Sequence, residues 1–387
     1  MPRPQSHETS GHPASDIATV GVRASLMQCV LLALASYDTA DALPVSQHDL
    51  SGMLAEVDRV GKATLQADTH ALHALHRALF LLYEDLVRPP TPAGEDAQFD
   101  TNVLAVRSRL ELWADRFEAQ RVPDLRGCTL DADGTIAEIQ QIWRTYKTPN
   151  HPIFEYVRAH ASREAVLEYL RSDYILNIRF YDLITFSLIA ADERVRGEVA
   201  HNLWDEVGQG NLRRTHVQLY RDLVRSEGID PSIERMDAHL SWQGLAGYNL
   251  MMRHGLHRSR YFESLGSLAI TEIADPEQYK KFVEGCRRVG VGGRNEVGLA
   301  YYEEHISVDV LHGDGWLDNV IRPMLQTWPQ GAVKVLSGVY QRLNTAHDYW
   351  DDLLRRMREI DAKRTASAPQ QVSLRTIDQN QLEALVS

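Results

Sequence analysis

Cysteine is scarce in this 387-residue chain: Cys29, Cys128 and Cys286 are the only three, far apart and in no CxxC pair. That excludes a disulfide framework or a thiolate zinc site as the organising element, and reduced thiols in a cytosol fit the number. Long apolar runs are also missing. The longest, Cys29 to Ala35, falls far short of the ~20 residues a membrane helix needs. The polar start, Met1 to Asp16, has no apolar segment of the kind that marks a signal peptide. Positive charge is in deficit as well, with 41 Lys+Arg against 53 Asp+Glu and a formal net charge of -12. Nucleic acid and anionic membranes both select basic surfaces, so neither is an expected partner. The chain reads as soluble and cytoplasmic. Period-two alternation is nearly absent too, which argues against a sheet.

What is present is apolar spacing of three and four residues almost throughout, the pattern of an all-α protein. Helices are expected near 23–37, 46–60, 65–86 and 101–120, with a proline-rich break from Arg88 to Gly94 that no helix crosses. A second break at Val122–Gly134 precedes a longer helical block from about Thr135 to Ile360. Within it, Arg163–Ala190 and Glu193–Ser226 read as an antiparallel pair joined at Ala191-Asp192. Further helices are expected near 231–238, 244–266, 276–290, 295–312, 316–328 and 331–360. The implied organisation is a disordered stretch over 1–20, an N-terminal helical extension over 21–133, a helical-bundle domain over 134–360 and a flexible tail over 361–387.

The most specific local signal is His305-Ile-Ser-Val-Asp309-Val-Leu-His312. At about 100° per residue, positions i, i+4 and i+7 lie within about 60° of one another on one helix face. Two imidazoles and a carboxylate there suit iron, manganese or zinc. Three polar groups projecting from a helix rich in Ile306, Val308, Val310 and Leu311 are costly in a core unless something satisfies them; the competing reading is a solvated face. A second signal runs from Asn202 to His216 and contains Asp205, Glu206, Gly208 and Gly210. Glu206 and His216 are ten residues apart, ~15 Å on a straight helix, so a shared site requires the glycines to bend or unwind the chain. The alternative is that Asp205 and Glu206 pair with Arg213 and Arg214 on a surface. Asp173 and Asp182 are weaker candidates that can face Glu206 across the helical hairpin, although Asp182 also suits a pair with Arg179.

Taken together, these residues resemble the haem-oxygenase-like di-iron oxidases and oxygenases, a family also called iron-containing redox enzymes. The resemblance runs from about Ile139 to Arg355. It rests on Asn202-Leu-Trp-Asp-Glu206-Val-Gly208-Gln-Gly210 with His216, on His305, Asp309 and His312 followed by Gly313-Asp-Gly-Trp316, and on Asn150-His151-Pro152-Ile-Phe154, Arg179-Phe-Tyr-Asp182-Leu183 and Thr271-Glu272. It implies a haem-oxygenase-like helical bundle with an N-terminal helical extension. It also implies two iron ions held by Glu206, His216, His305, Asp309 and His312, with Glu206 between them. The family's remaining ligand is a glutamate on the preceding helix. Asp173 stands there, one methylene shorter, with Asp182 as the fallback.

The implied function is a non-haem di-iron enzyme that uses O₂ on a small, amino-acid-derived substrate, by N-oxygenation, desaturation, cyclisation or C–C cleavage. An electron donor and a homodimer are compatible with it. Arg179, Glu272 and Arg294 are candidate contacts for a carboxylate or amine, with surface pairing the favoured alternative for each. Two rivals are a non-redox enzyme on a thiaminase-like bundle and a metal-free helical binding protein.

Overall fold

The computed structural model describes residues 26–28, 30, 47–89, 97–232, 236, 239–293 and 298–367. The described residues form helices and no strand, as the apolar spacing predicts, in the all-α architecture of the haem-oxygenase-like bundle. The expected disordered start over 1–20, the first helix apart from a few positions, most of the helix near 231–238 and the end of the tail lie outside the described residues.

Three helices form the N-terminal part: α1 (Gln47–Thr64), α2 (Thr69–Val87) and α3 (Thr101–Ala119). Asp68 and Asp100 cap the second and third by accepting from Ala71 N and from Asn102 N and Val103 N, which satisfies backbone donors that a helix start leaves open. Next come α4 (Ala132–Thr145) and α5 (Pro152–Ala159). In α5, Pro152 fits the first turn and His151 caps it. Then follow α6 (Arg163–Leu188), α7 (Glu193–Glu206), α8 (His216–Ser226), α9 (Trp242–Leu256), α10 (Tyr261–Val289), α11 (Ala300–Gly315), α12 (Arg322–Thr327) and α13 (Ala332–Ser367). The buried apolar side chains make one continuous core, from Leu26 through Trp113 to Met357. α2 packs on α9, while α10 packs against both α11 and α13. Buried Arg179 of α6 donates to Glu84 of α2 at 2.7 Å and to the Val87 carbonyl at 2.9 Å. It is therefore a tie between the N-terminal helices and the bundle. No helix among the described residues is long and apolar enough to cross a membrane.

Three boundaries differ from expectation. The helices anticipated at 244–266 and 276–290 are redistributed: α9 ends at Leu256, and α10 runs unbroken through Pro276. A mid-helix proline removes one hydrogen bond, here the one that the Glu272 carbonyl would accept, and costs about 3 kcal/mol. Burial of α10 between α11 and α13 offsets that. Trp316, expected to open a new helix, instead continues α11 through a π-helical turn, Trp316–Ile321. The tail expected from residue 361 is helical as far as Ser367.

Gly266 does not end a helix; it is a close-packing point. A Cβ there would lie 2.1 Å from the Val335 carbonyl oxygen, and a Cβ on Gly338 would lie 2.0 Å from that of Glu263. The two glycines let α10 and α13 approach backbone to backbone. Gly338→Ala is expected to push the helices apart and destabilise the fold by about 2–4 kcal/mol, despite alanine's better helix propensity; thermal unfolding of the variant checks this.

Candidate metal centre

α7 stops at Glu206, and α8 starts at His216. Between them the chain turns sharply through three consecutive residues with positive φ: Gly208 (63°), Gln209 (52°) and Gly210 (85°). Left-handed backbone is inexpensive for glycine alone. A Cβ on Gly208 would also lie 2.5 Å from the Arg214 carbonyl carbon and 2.6 Å from Thr215 N. The turn folds the end of α7 back on the start of α8, so that His216 Nδ1 is 3.0 Å from Glu206 Oε2. The unwinding that a shared site requires is thus present, from Val207 to Thr215.

α11 supplies the other half. His305, Asp309 and His312 are all buried, whereas Val310 and Leu311 on the same helix are 52% and 70% exposed. This inverted pattern, with ligand-type groups inside and aliphatic ones outside, is the opposite of an ordinary amphipathic helix and removes the solvated-face reading. His305 packs against His216, ring centres 4.2 Å apart and planes tilted by 47°.

Two buried triads result. Glu206, His216 and His305 form one, and Glu272, Asp309 and His312 the other; in each, one ligand atom per residue lies within 4.8 Å of the others. Five of the six residues are those the sequence singles out. The sixth is not Asp173 or Asp182. Asp173 accepts from Asn177 Nδ2 at 2.8 Å and lines a cavity beside the triads. Asp182 lies 3.7 Å from Arg179. Glu272 of α10, read from sequence only as a substrate contact, takes that place. Its local signal was available: it is the single charged residue between Ser264 and Ala274, a run that is otherwise apolar or small. Arg294, the other suggested contact, lies outside the described residues.

The surroundings fix which atoms are free to ligate. His305 Nδ1 lies 2.6 Å from the Tyr301 carbonyl oxygen. A carbonyl only accepts, so Nδ1 carries the proton and Nε2 is left as the ligand atom. His312 is reversed: Nε2 lies 3.0 Å from Asp205 Oδ2. Its Nδ1 faces Glu272 Oε2 at 3.4 Å and Asp309 Oδ1 at 3.5 Å. Neither His312 Nδ1 nor His216 Nδ1 makes a hydrogen bond, although both are buried. Buried imidazole nitrogens aimed at carboxylate oxygens without hydrogen-bond geometry are what a metal site leaves when the ion itself is not considered.

Electrostatics agree. Burial alone would lower the pKa of His312, but Asp309, Glu272 and Asp205 push it up to about 11. Three carboxylates thus surround this one imidazole, an excess of negative charge that suits a cation. Burial, aided by the neighbouring His216, pushes His305 down to about 3, which keeps it a neutral donor. The ligand set of carboxylates and imidazoles without thiolate suits iron or manganese.

Outside the triads, Asn202 Nδ2 donates to Glu272 Oε1 at 2.9 Å, and Gln209 Nε2 donates to Asp205 Oδ1 at 2.8 Å. One turn of α7 and the left-handed residue beyond it therefore orient two members of the second triad, Glu272 directly and His312 through Asp205. Asp205 stands where a carboxylate holds a metal-binding histidine in one tautomer. Asp205→Asn is expected to weaken metal binding at this triad about 10- to 100-fold while leaving the fold intact, as read by metal competition against a chelator.

A third group, His151, His347 and Asp351, also has metal-ligand spacing. His151 Nδ1, however, accepts from Ile153 N as the cap of α5, which fixes the proton on Nε2, where it points to Asp351 at 3.1 Å. This imidazole is already used at both nitrogens.

Comparison with known proteins gives the same direction. The family model described as iron-containing redox enzyme matches residues 167–347, a narrower span than Ile139–Arg355 but one that includes both triads. The chain is also 25% identical over 145 residues to a nitrosourea synthase of Streptomyces achromogenes subsp. streptozoticus. That match takes in 35% of this chain and spans only 28% of the length of the relative.

Proposed function

We propose that each triad binds one iron ion and that the pair serves an O₂-dependent oxidation of a small molecule in the cytoplasm, a reading supported by the match of residues 167–347 to the model of iron-containing redox enzymes. The observation that carries this reading is the convergence of two buried carboxylate–imidazole triads on one helix, α11. Ferrous ions bound there would supply electrons for reducing O₂, with a reductant restoring them between turnovers.

The residues of the chain hold, orient and enclose. Glu206, His216 and His305 would hold one ion, and Glu272, Asp309 and His312 the other. Asp205, Asn202 and the Tyr301 carbonyl fix the ligand orientations. A cavity lined by Glu272 and His305, one residue from each triad, gives a substrate direct access to both. It is a small cavity, about 70 Å³ open to the centres of water-sized molecules. The likeness to a nitrosourea synthase favours oxidation at nitrogen among the outcomes open to such a site.

Anaerobic titration with Fe(II), metal analysis and then exposure to O₂ test the reading. The expected result is two irons per chain, O₂ consumption and a transient visible absorption band. Saturation at one iron, or a preference for zinc, would overturn the di-iron reading. Absence of both iron binding and O₂ uptake would return the chain to the metal-free alternatives.

A further inference from the structure

A surface cleft lies against the cavity beside the triads. Trp143 of α4, Asn150 of the loop that follows, Phe154 of α5 and Gln278 and Lys281 of α10 line it. Among the described residues, Gln278 alone lines both hollows. The cleft leaves about 260 Å³ to the centres of water-sized molecules, against about 70 Å³ in the cavity behind it, so the space narrows inward. The rest of the partition is aromatic. Phe154 on the cleft side meets Trp350 on the cavity side, ring centres 4.8 Å apart and planes at 83°. His151, which caps α5, packs on the same indole with ring centres 5.8 Å apart. The stretch Asn150-His151-Pro152-Ile-Phe154 thus builds the outer side of a wall between solvent and the cavity.

Gln278 is the weak place in that wall. It is 4% exposed, and its Nε2 has no hydrogen-bond partner. A buried amide donor without an acceptor is costly. The position is therefore held weakly, and a rotamer that turns the amide into the cleft returns it to solvent. Pro276 lies two residues earlier and removes a helical hydrogen bond, which softens α10 next to this side chain. The buried contact between Phe154 and Trp350 is apolar and gains nothing from opening.

We propose that the cleft is the entrance to the cavity and that Gln278 is its gate, the side chain whose swing admits a solute and whose bulk sets the girth that passes. This says how the site proposed above is reached and rests on that reading for its catalytic meaning. Glu272 of the second triad lies ~9 Å from Gln278 along α10, so the gate opens close to the centre.

The test needs no metal. Thr345 is buried on the cavity wall. Thr345→Cys is made in the full chain, and labelling by methyl methanethiosulfonate is followed by peptide mass spectrometry. The introduced thiolate attacks the sulfenyl sulfur of the reagent, a methyl disulfide forms and methanesulfinate leaves. Adding Gln278→Ala is expected to speed this labelling about tenfold and Gln278→Trp to slow it about tenfold, because the rate scales with the fraction of time the route is open. Cys286, buried on α10, reports general loosening and should stay unlabelled throughout. Equal rates in the three backgrounds, no labelling even with Gln278→Ala, or labelling of Cys286 in step with the introduced thiol would overturn the proposal. If labelling follows Gln278 but no iron loads, the gate survives and the di-iron reading fails.

Discussion

Glu272→Ala is expected to reduce iron from two ions per chain to one and to lower the O₂-dependent reaction to below about one hundredth of wild type. The second triad would keep only Asp309 and His312, adjacent on one helix, and two ligands do not hold a labile divalent ion against solvent. Asn202 would also lose its acceptor, which adds a buried unpaired amide. Metal analysis separates this from misfolding, because the first triad, on α7, α8 and α11, shares no ligand with α10. Two irons retained in Glu272→Ala would sink the assignment and leave Asp173 or Asp182 as the missing ligand.

Gly208→Ala is expected to empty the first triad instead. The left-handed φ costs a residue with a side chain on the order of 1–2 kcal/mol, and the added Cβ would lie 2.5 Å from backbone at Arg214, a contact that no rotamer relieves. The turn must open, and Glu206 and His216 then no longer meet. The variant should bind at most one iron, tightly at Glu272, Asp309 and His312, and should not react productively with O₂. Gly197→Ala, on the exposed side of α7 where an added Cβ meets nothing, serves as the control and should load both ions.

The contrast between these two variants shows what a sequence can reveal. Gly208 and Gly210 were legible because conformations closed to other residues confine the choice of side chain, and the ten-residue gap between Glu206 and His216 makes a break obligatory if the two meet. His305, Asp309 and His312 were legible because a single helix sets their geometry. Glu272 obeys no such local rule. Its partners are Asn202 and His312, on two other helices, and only packing brings them together. Asp173 stands outside both triads for the same reason: spacing shows that it lies on the helix before Glu206, but not toward which neighbour the helix turns it. Arg179 likewise looked like a site residue but joins the N-terminal helices to the bundle. The boundaries missed at Pro276 and Trp316 are places where burial of a long helix outweighs a local breaking or starting preference.

Pro276 has a mechanical consequence. It follows Glu272 by one helical turn, so the segment of α10 that bears this carboxylate is a weak joint in an otherwise stiff rod. On the far side of Glu272, the rod is clamped by the glycine-mediated contact between Gly266 and α13. Rotation or bending is therefore concentrated at the one ligand supplied by α10, whereas the three ligands of α11 must move together. Were both triads to hold ions, Glu272 would be the group able to lengthen or shorten its reach without disturbing the other five. The compliance of the centre is thus localised on a single carboxylate.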